Sequence, residues 1–213
     1  WPWPTNGSSH SSPSARSLAC GWEGEGKLAA PESIFSAAVA ALTTKDLSGQ
    51  TIMVTAGPTR EALDPVRFIS NHSSGKMGYA LAQAAIDAGA RTTLVSGPVN
   101  LPVPDHARVV KVESAAQMLE QCLLLLPDCD IFIACAAVAD YRPAAVEQHK
   151  SKKGAEQISL VLVRNPDIVA TVAASEQRPF IVGFAAETQE LLTHAREKMS
   201  HKGLDMIIAN DVS

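Results

Sequence analysis

Ile131-Phe-Ile-Ala-Cys-Ala-Ala-Val-Ala139 is the longest apolar run in the chain. It is far shorter than the ~20 residues that a membrane-spanning helix needs. A continuous apolar run between polar residues is typical of a central parallel strand that is covered by helices on both faces. The run therefore predicts a strand from Asp130 to Ala137 at the centre of an α/β domain.

Strands and helices alternate on both sides of this run. Helices are predicted over residues 32–42, 74–88, 114–126 and 189–202, with a short helix capped by Asn165-Pro166. Further strands are predicted over residues 51–56, 91–96, 109–112, 158–163, 180–185 and 206–209. The fold class is therefore α/β: a doubly wound, Rossmann-like, mainly parallel sheet with helices on both faces. We expect strands 51–56 and 130–137 to flank the point where the strand order reverses.

An unusual loop, Ile69-Ser-Asn-His-Ser-Ser-Gly-Lys-Met-Gly78, lies between the first of these strands and the helix that follows it. The start of a helix presents free N–H groups and the positive end of the helix dipole, which suits a phosphate or a carboxylate. Glycine allows a ligand to approach the main chain closely. The loop predicts an anion site that includes Gly75 and Lys76, although Ser73 and Ser74 could also serve only as helix caps.

Composition excludes several classes of protein. The chain has 213 residues and a net charge of −4, which argues against nucleic acid as the main partner. The four cysteines form no Cys-x-x-Cys pair, so neither a zinc site nor a disulfide framework is indicated. No signal peptide is predicted, because Trp1-Pro-Trp-Pro4 lacks a charged segment followed by an apolar one. We expect a cytoplasmic protein without a membrane partner.

The two commonest nucleotide-binding loops do not fit this sequence. The turn after the first strand reads Gly57-Pro-Thr-Arg60 rather than G-x-G-x-x-G, and the second strand ends in Ser96-Gly97 without an acidic residue for a ribose. The Gly75-Lys76 pair lacks the earlier glycine of a P-loop. An NAD(P)-dependent oxidoreductase therefore remains only as an alternative.

Polar clusters follow several predicted strands, where a doubly wound sheet binds its ligands. They are Asp140-Tyr-Arg142, Lys150-Ser-Lys-Lys153, Arg164-Asn-Pro-Asp167 and Gly183-Phe-Ala-Ala-Glu187. Each cluster alone could be a solvated loop or a turn. Together, several cations and one acidic residue on one rim suggest a triphosphate with a hydrogen-bonded base.

Five stretches in order resemble phosphopantothenoylcysteine synthetase, the CTP-dependent phosphopantothenate–cysteine ligase of coenzyme A biosynthesis. They are the segment from Ala56-Gly-Pro-Thr-Arg60 to Gly78, Ala136-Ala-Val-Ala-Asp-Tyr-Arg142, Lys150-Ser-Lys-Lys153, Asn165-Pro-Asp167 and Gly183-Phe-Ala-Ala-Glu-Thr188. The resemblance covers about residues 49–213. It implies that 4′-phosphopantothenate reacts with CTP to give an acyl-cytidylate, and that the amine of L-cysteine then displaces CMP.

The resemblance also implies roles for individual residues. Asn71, with Arg67 as its partner, would contact the acyl-cytidylate, and Lys150 would serve the second half-reaction. Asp140 would accept a hydrogen bond from the cytosine amino group, and Lys198 and Lys202 would bind the triphosphate. The remaining nucleotide-binding positions would be Ala134, Cys135, Ala136, Ala137, Pro166, Asp167, Ile168, Val169 and Phe184. Mg²⁺ or Mn²⁺ should accompany CTP, but no protein ligand for the metal is identified.

A second resemblance concerns Ser17-Leu-Ala-Cys-Gly-Trp-Glu-Gly-Glu-Gly-Lys-Leu28. It is similar to the substrate flap of FMN-dependent phosphopantothenoylcysteine decarboxylase, the other half of the bifunctional bacterial protein, in which Cys20 would match a proton donor. The expected organisation is a disordered, unmatched tail over residues 1–16, a flap remnant and linker helix over 17–48, and a C-terminally incomplete synthetase domain over 49–213. FMN would belong only to the missing half. The resemblance implies a homodimer, and a nucleotide-binding remnant without turnover is the other alternative.

Overall fold

The computed structural model describes residues 16–17, 23–24, 30–150, 159–187 and 191–211. The chain divides into two compact units, residues 1–44 and 45–213. The flap cysteine Cys20, most of the predicted tail, and Lys152 and Lys153 lie outside the described residues.

The first unit contains a strand pair and one helix. Strands β1 (Arg16–Ser17) and β2 (Glu23–Gly24) pair antiparallel. Helix α1 (Pro31–Leu42) agrees with the prediction for residues 32–42 and begins with proline, whose fixed φ suits the first helical turn.

The second unit contains the alternating strands and helices. In chain order these are β3 (Thr51–Ala56), β4 (Arg60–Ala62), β5 (Phe68–Ser70), α2 (Lys76–Asp87), β6 (Arg91–Ser96), β7 (Arg108–Lys111), α3 (Ala115–Leu125), a 3₁₀ turn (Leu126–Asp128), β8 (Ile131–Ala134), β9 (Tyr141–Pro143), β10 (Leu162–Arg164), α4 (Ile168–Ala173), β11 (Phe180–Glu187), α5 (Leu191–Lys202) and β12 (Met206–Asp211).

Within the described residues, six strands form one parallel sheet in the order β12-β11-β8-β3-β6-β7. The order runs outward in both directions from the neighbouring strands β3 and β8, as in a doubly wound sheet. The predicted fold class is therefore confirmed, and so is the pair of strands at the reversal. A ligand cleft is expected where β3 and β8 end.

The central strands contribute side chains to two cores, one on each face of the sheet. Met53 and Phe132 pack in one cluster with Met118 of α3 and Val172 of α4. The alternate strand residues, including Ile52, Val54 and Ile131, pack in the other cluster with Tyr79, Ala82 and Ala85 of α2. Full burial of a side chain such as Phe132 contributes roughly 2–3 kcal/mol. Alternating faces explain why the apolar run has no polar interruption.

Helix α2 packs closely on β3. A Cβ atom added at Gly78 would lie 2.5 Å from Cβ of Ala56. The helix begins at Lys76 rather than at the predicted Ser74, after Gly75 in the left-handed conformation with φ of 74°. A residue with a side chain is strained at that angle, so glycine is favoured at the entry to the helix.

Two predictions for the short elements were wrong, and one strand pair was missed. The strand predicted over 158–163 is β10 at Leu162–Arg164, and it pairs antiparallel with β9 instead of joining the central sheet. The short helix is capped by Asp167, whose Oδ1 accepts from the N–H of Ala170, and not by Asn165 with Pro166. The antiparallel pair β4–β5 was not predicted. All three regions lie in connections, where hydrogen bonds to distant segments decide the local conformation.

Candidate functional site

A cavity of about 560 Å³ opens beside the carboxyl ends of β8 and β11. This volume is within the usual range of small-molecule sites. Its lining residues are Thr55, Phe132, Ala134, Ala136, Ala137, Val138, Ala139, Asp140, Tyr141, Arg164, Asn165, Pro166, Asp167, Ile168, Val169, Gly183, Phe184, Lys198, Lys202 and Leu204.

One wall of the cavity is the chain that continues from β8, and two threonines hold it in place. Oγ1 of Thr55 accepts hydrogen bonds from the N–H groups of Cys135 and Ala136, each at 3.2 Å. Oγ1 of Thr59 accepts from the N–H of Ala139 at 3.0 Å. These N–H groups follow Ala134, the last residue of β8 that pairs with its neighbouring strands. The threonine hydroxyls therefore accept hydrogen bonds that strand carbonyl oxygens would otherwise accept.

Asn71 lies against this wall. Its Nδ2 donates to the carbonyl oxygen of Val138 at 3.0 Å and, at a longer 3.5 Å, to that of Ala137. The side chain is exposed, so a ligand on the wall can reach it. The structure therefore brings together Asn71 and the predicted nucleotide-binding position Ala137.

Asn165 holds the opposite rim of the cavity. Its main-chain N–H donates to the carbonyl oxygen of Asp140 at 2.8 Å, and its Nδ2 donates to that of Ala139 at 2.7 Å. Nη1 of Arg142 donates both to the carbonyl oxygen of Arg164 at 2.7 Å and to Oδ1 of Asn165 at 3.2 Å. These bonds fix the main chain at Asp140, and the residue itself is exposed at the rim.

Two lysines of α5, Lys198 and Lys202, line the cavity. Nζ of Lys198 donates to the carbonyl oxygen of Phe184 at 2.9 Å, and Nζ of Lys202 lies 3.0 Å from Oδ2 of Asp167. Burial acts to raise the pKa of Asp167, but the Ala170 N–H and the Lys202 ammonium outweigh it, so the pKa is lowered. Asp167 is therefore ionised at neutral pH, and it orients Lys202 toward the cavity.

Arg67 is held by Asp64. Nε and Nη2 of Arg67 donate to Oδ2 of Asp64 at 2.9 and 2.6 Å, and the side chain of Asp64 is fully buried. The Arg67 side chain as a whole remains about half exposed in this pair. Arg67 and Asn71 lie on the same loop, on either side of β5.

Several predicted positions do not line the cavity, among them Arg67 and Asn71, although Asn71 contacts the wall. Lys76 lines a separate, shallower depression with Tyr79 and Gln83. Gly75 is buried against Val99 and Gly57. The half-buried thiol of Cys135 packs in the core on the α2 side, and burial raises its pKa. Lys150 is exposed and adjoins a part of the chain that is not described.

Sequence reasoning missed Thr55, Thr59, Tyr141, Arg164 and Asn165 as individual contributors. Arg164 and Tyr141 interact across the β9–β10 pair, with the guanidinium 6.0 Å from the ring centre. The hydrogen bond that the Arg164 guanidinium donates to the Tyr141 oxygen is the main cause that raises the pKa of Arg164. Asn165 and Arg164 belong to the predicted polar cluster Arg164-Asn-Pro-Asp167. Thr55 and Thr59 could not be predicted, because threonine is common in strands and turns without any functional role.

Two features are absent from the residues that the structure describes. Among them there is no group of three His, Cys, Asp or Glu side chains that could hold a metal ion. None of the helices in this part of the chain is long and apolar enough to cross a bilayer.

Residues 47–213 match the family described as DNA/pantothenate metabolism flavoprotein C-terminal domain. The chain is 51% identical over 204 residues to the coenzyme A biosynthesis bifunctional protein CoaBC of Vibrio vulnificus (strain YJ016), which covers 94% of this chain and 51% of that protein. Identity to the protein of the same name from Escherichia coli (strain K12) is 52% over 206 residues, with the same coverage. This chain spans about half the length of these curated relatives.

A solved structure is also similar: the crystal structure of the C-terminal domain of CoaBC superposes with a TM-score of 0.71 at 44% identity, covering 80% of this chain and 81% of that one. The family match extends over most of the chain, from the linker before β3 to the end of the sequence. The resemblance noted in the sequence is thus confirmed, and the chain belongs to the family of DNA/pantothenate metabolism flavoprotein C-terminal domains.

Proposed function

We propose that this chain carries a CTP-dependent ligase activity that joins 4′-phosphopantothenate to L-cysteine through an acyl-cytidylate. The observation that carries the proposal is the shared cavity: Asp140, Lys198 and Lys202 line it, and the amide of Asn71 donates to the carbonyl oxygen of Val138, another lining residue. Relatives named for coenzyme A biosynthesis support the same reading.

In this proposal the cavity divides into a base side and a phosphate side. Asp140 accepts a hydrogen bond from the cytosine amino group, whereas uracil would present an oxygen to the carboxylate and be rejected. Lys198 and Lys202 lie one helical turn apart and face the triphosphate. Phe184 and the segment from Pro166 to Val169 enclose the base and the ribose.

In the first half-reaction, a carboxylate oxygen of phosphopantothenate attacks the α-phosphorus of CTP, and the bond to the bridging oxygen breaks to release pyrophosphate. Such a step depends on in-line positioning and on charge stabilisation. In the second, the cysteine amine attacks the acyl carbon, the bond to CMP breaks, and the amine loses a proton. CMP is a far better leaving group than the oxide of a free carboxylate.

In this proposal Asn71 contacts the acyl-cytidylate. Its bond to Val138 fixes the amide, and the N–H whose contact with Ala137 is long can donate to an oxygen of the reacting acyl group. A donor directed at developing negative charge is worth about 3 kcal/mol of barrier. Arg67, oriented by Asp64, supplies a positive charge on the same loop.

Lys150 is proposed to act in the second half-reaction. Lys150→Gln should let acyl-cytidylate accumulate, because the carboxylate activation remains while amide formation slows. Quenched time courses with labelled CTP measure the intermediate, and amide formation at the parent rate would remove Lys150 from the mechanism.

A divalent cation, Mg²⁺ or Mn²⁺, would arrive with the triphosphate. Asp140 and Asp167 are the carboxylates on the cavity lining, and Asp167 is already paired with Lys202. The donor set therefore fits a cation held mainly by phosphate oxygens and water, as Mg²⁺ prefers, rather than by a protein cage. The cation would neutralise phosphate charge, while the protein residues position the two substrates.

The remaining features of the longer relatives are also proposals for this protein. They are an FMN-dependent decarboxylase activity in a separate half, with Cys20 as a proton donor of that half, a homodimeric assembly and a cytoplasmic location. Light scattering measures the assembly directly, and a monomeric mass at micromolar concentration would refute the dimer.

The ligase proposal is tested with CTP and NADPH, titrated separately by calorimetry. CTP should bind and NADPH should not; the opposite pattern would support a dinucleotide-dependent oxidoreductase instead. Pyrophosphate release is then measured with phosphopantothenate, CTP and Mg²⁺. Binding of CTP without release, together with release from a chain of the relatives' length, would identify this chain as a nucleotide-binding remnant.

A further inference from the structure

Thr59 connects the cavity wall, residues 134–139, with the loop that carries Asn71. It follows the turn after β3, and it is fully buried. Three of its groups form hydrogen bonds: its N–H donates to the carbonyl oxygen of Ala137 at 3.3 Å, its Oγ1 accepts from the N–H of Ala139 at 3.0 Å, and its carbonyl oxygen accepts from Oγ of Ser70 at 2.7 Å. Two of these bonds go to the cavity wall, and the third goes to the residue before Asn71.

The surrounding backbone extends this connection. The N–H of Ala137 donates to the carbonyl oxygen of Gly57 at 2.9 Å, and Pro58 forms a parallel bridge with Ala137. The turn after β3 and the wall after β8 therefore run side by side beyond the sheet. On the other side, Arg60 pairs with Ser70 in the β4–β5 ladder. The separation between Asn71 and the wall is thus set through the segment that contains Thr59.

The hydroxyl of Thr59 has a specific task in this arrangement. The N–H of Ala139 is buried, and Thr59 Oγ1 is its acceptor. A valine in place of Thr59 would keep the shape but leave this N–H without an acceptor, so the wall would shift to find another partner. A shift of about 1 Å in a positioned group can reduce a reaction rate on the order of a hundredfold.

We infer that Thr59 is a positioning residue for acyl-cytidylate formation: its hydroxyl and carbonyl set the distance between the Asn71 amide and the Ala137–Ala139 wall. This inference rests on the proposed ligase function. Lys198 and Lys202 reach the cavity from α5, and they do not depend on Thr59 for their contacts. Asp140 on the base side is held separately, because its carbonyl oxygen accepts from the N–H of Asn165. The loss of the Thr59 hydroxyl should therefore reduce the rate of the first half-reaction much more than the affinity for CTP.

The test compares Thr59→Val and Thr59→Ser with the parent chain. Pyrophosphate release should fall on the order of a hundredfold in Thr59→Val, while the Kd for CTP, measured by calorimetry, changes less than about threefold. Thr59→Ser keeps the acceptor and should restore the rate to within about threefold of the parent. Amide hydrogen exchange should be faster at Ala139 in Thr59→Val and unchanged in Thr59→Ser.

A matched control is Thr92→Val, because Thr92 is also a buried threonine but lies at the start of β6, away from the carboxyl ends of the strands. It should lower the Tm without a change in turnover per folded molecule. Should Thr59→Val fail to fold, Ser70→Ala provides the second test, since it breaks the bond to the Thr59 carbonyl oxygen from the partly exposed side and should slow release at least fivefold.

The possible outcomes separate the two claims. A parent chain that binds no CTP and releases no pyrophosphate would refute the proposed function, and the inference with it. An active parent with an equally active Thr59→Val variant would refute the positioning role alone. The role would also be refuted if Thr59→Ser were as slow as Thr59→Val, or if CTP affinity and rate fell together in proportion.

Discussion

At the scale of single residues, the candidate site depends on which hydrogen-bonding groups face the cavity. Asn71 offers a neutral amide that donates to main-chain carbonyl oxygens. A carboxylate in that place cannot donate when ionised, and it would face the carbonyl oxygens of Ala137 and Val138. The amide and the acid have nearly the same shape, so their exchange isolates the donor function.

We predict that Asn71→Asp abolishes acyl-cytidylate formation while the protein stays folded. The lost donor and the added negative charge should cost about 3 kcal/mol or more in barrier, a fall on the order of a hundredfold or greater. Pyrophosphate release measures the effect, and circular dichroism controls for folding. Formation of acyl-cytidylate at the parent rate would remove Asn71 from the reaction.

A second residue, Asp140, is predicted to select the base. Asp140→Asn should weaken CTP binding by about 1.5–3 kcal/mol, because a charged acceptor of the cytosine amino group is lost. The asparagine amide can instead donate to a uracil oxygen, so the preference for CTP over UTP should nearly disappear. Parallel titrations with CTP and UTP give the ratio, and an unchanged preference would place the base elsewhere in the cavity.

At the scale of elements, buried parallel strands could be predicted, whereas the antiparallel connections could not. The Ile131 run marked β8, and the Ser114 capping box that predicted the start of α3 is present, with Gln117 as its partner. The pairs β4–β5 and β9–β10 have three residues in each strand, too few for a recognisable alternation. The N-cap of α4 is Asp167. Asn165 is also a residue type that favours the N-cap position, so the sequence alone does not decide between the two.

The same reasoning explains which parts of the site were predictable. Asp140, Lys198 and Lys202 carry charge next to strand or helix ends, so their types and positions indicated a ligand. Thr55 and Thr59 act through hydrogen bonds to residues about 80 positions away, and no local pattern reveals such partners. Gly75 and Lys76 do begin a helix, but Lys76 lines a different depression and Gly75 is buried.

Helix α3 carries the buried thiol Cys122, which predicts how the protein responds to alkaline pH. Burial, with a smaller contribution from Cys129, raises the pKa of Cys122 from 9.0 to about 12. Above pH 9 the unfolded chain releases this proton while the folded chain keeps it, so the free energy of unfolding falls as pH rises. The stabilisation is complete below pH 9 and declines by about 1.4 kcal/mol per pH unit toward pH 12.

Urea unfolding between pH 8 and pH 10.5 measures this slope. Cys122→Ala should be less stable at pH 8 because of the cavity it leaves, and its slope above pH 9 should be shallower than that of the parent by about 1.4 kcal/mol per pH unit. Burial also raises the pKa of Cys129, to about 11. Cys129 is present in both proteins, so it contributes to the slope of both. Equal slopes in the parent and the variant would contradict the prediction.

At the scale of the whole molecule, the division of the chain separates the sheet and its cavity from the first 44 residues. Every residue that lines the cavity belongs to the second unit, Lys45–Ser213. Its core includes two clusters on opposite faces of one sheet. The sheet and the cavity therefore depend on contacts within one unit.

We predict that residues 45–213 unfold in one cooperative transition and bind CTP with the same Kd as the full chain. CTP at a hundred times its Kd should raise the free energy of unfolding by about 2.7 kcal/mol in both proteins, since binding acts only on the folded state. Thermal unfolding with and without CTP provides the comparison. A Kd more than tenfold weaker in the shorter protein would assign part of the site to residues 1–44.

The cavity wall also has a consequence for inhibitor design. From Ala134 to Ala139 the wall is built from small residues, and Thr55 and Thr59 hold it through peptide groups rather than side chains. Every residue retains its main-chain carbonyl oxygen, which has two lone pairs, so a compound that donates to the carbonyl oxygens of Val138 and Ala139 could not lose its contacts through a simple side-chain exchange. Resistant variants selected against such a compound should carry their changes around Asn165, α4 and α5, and recovery of most changes within the wall would show that this reasoning fails.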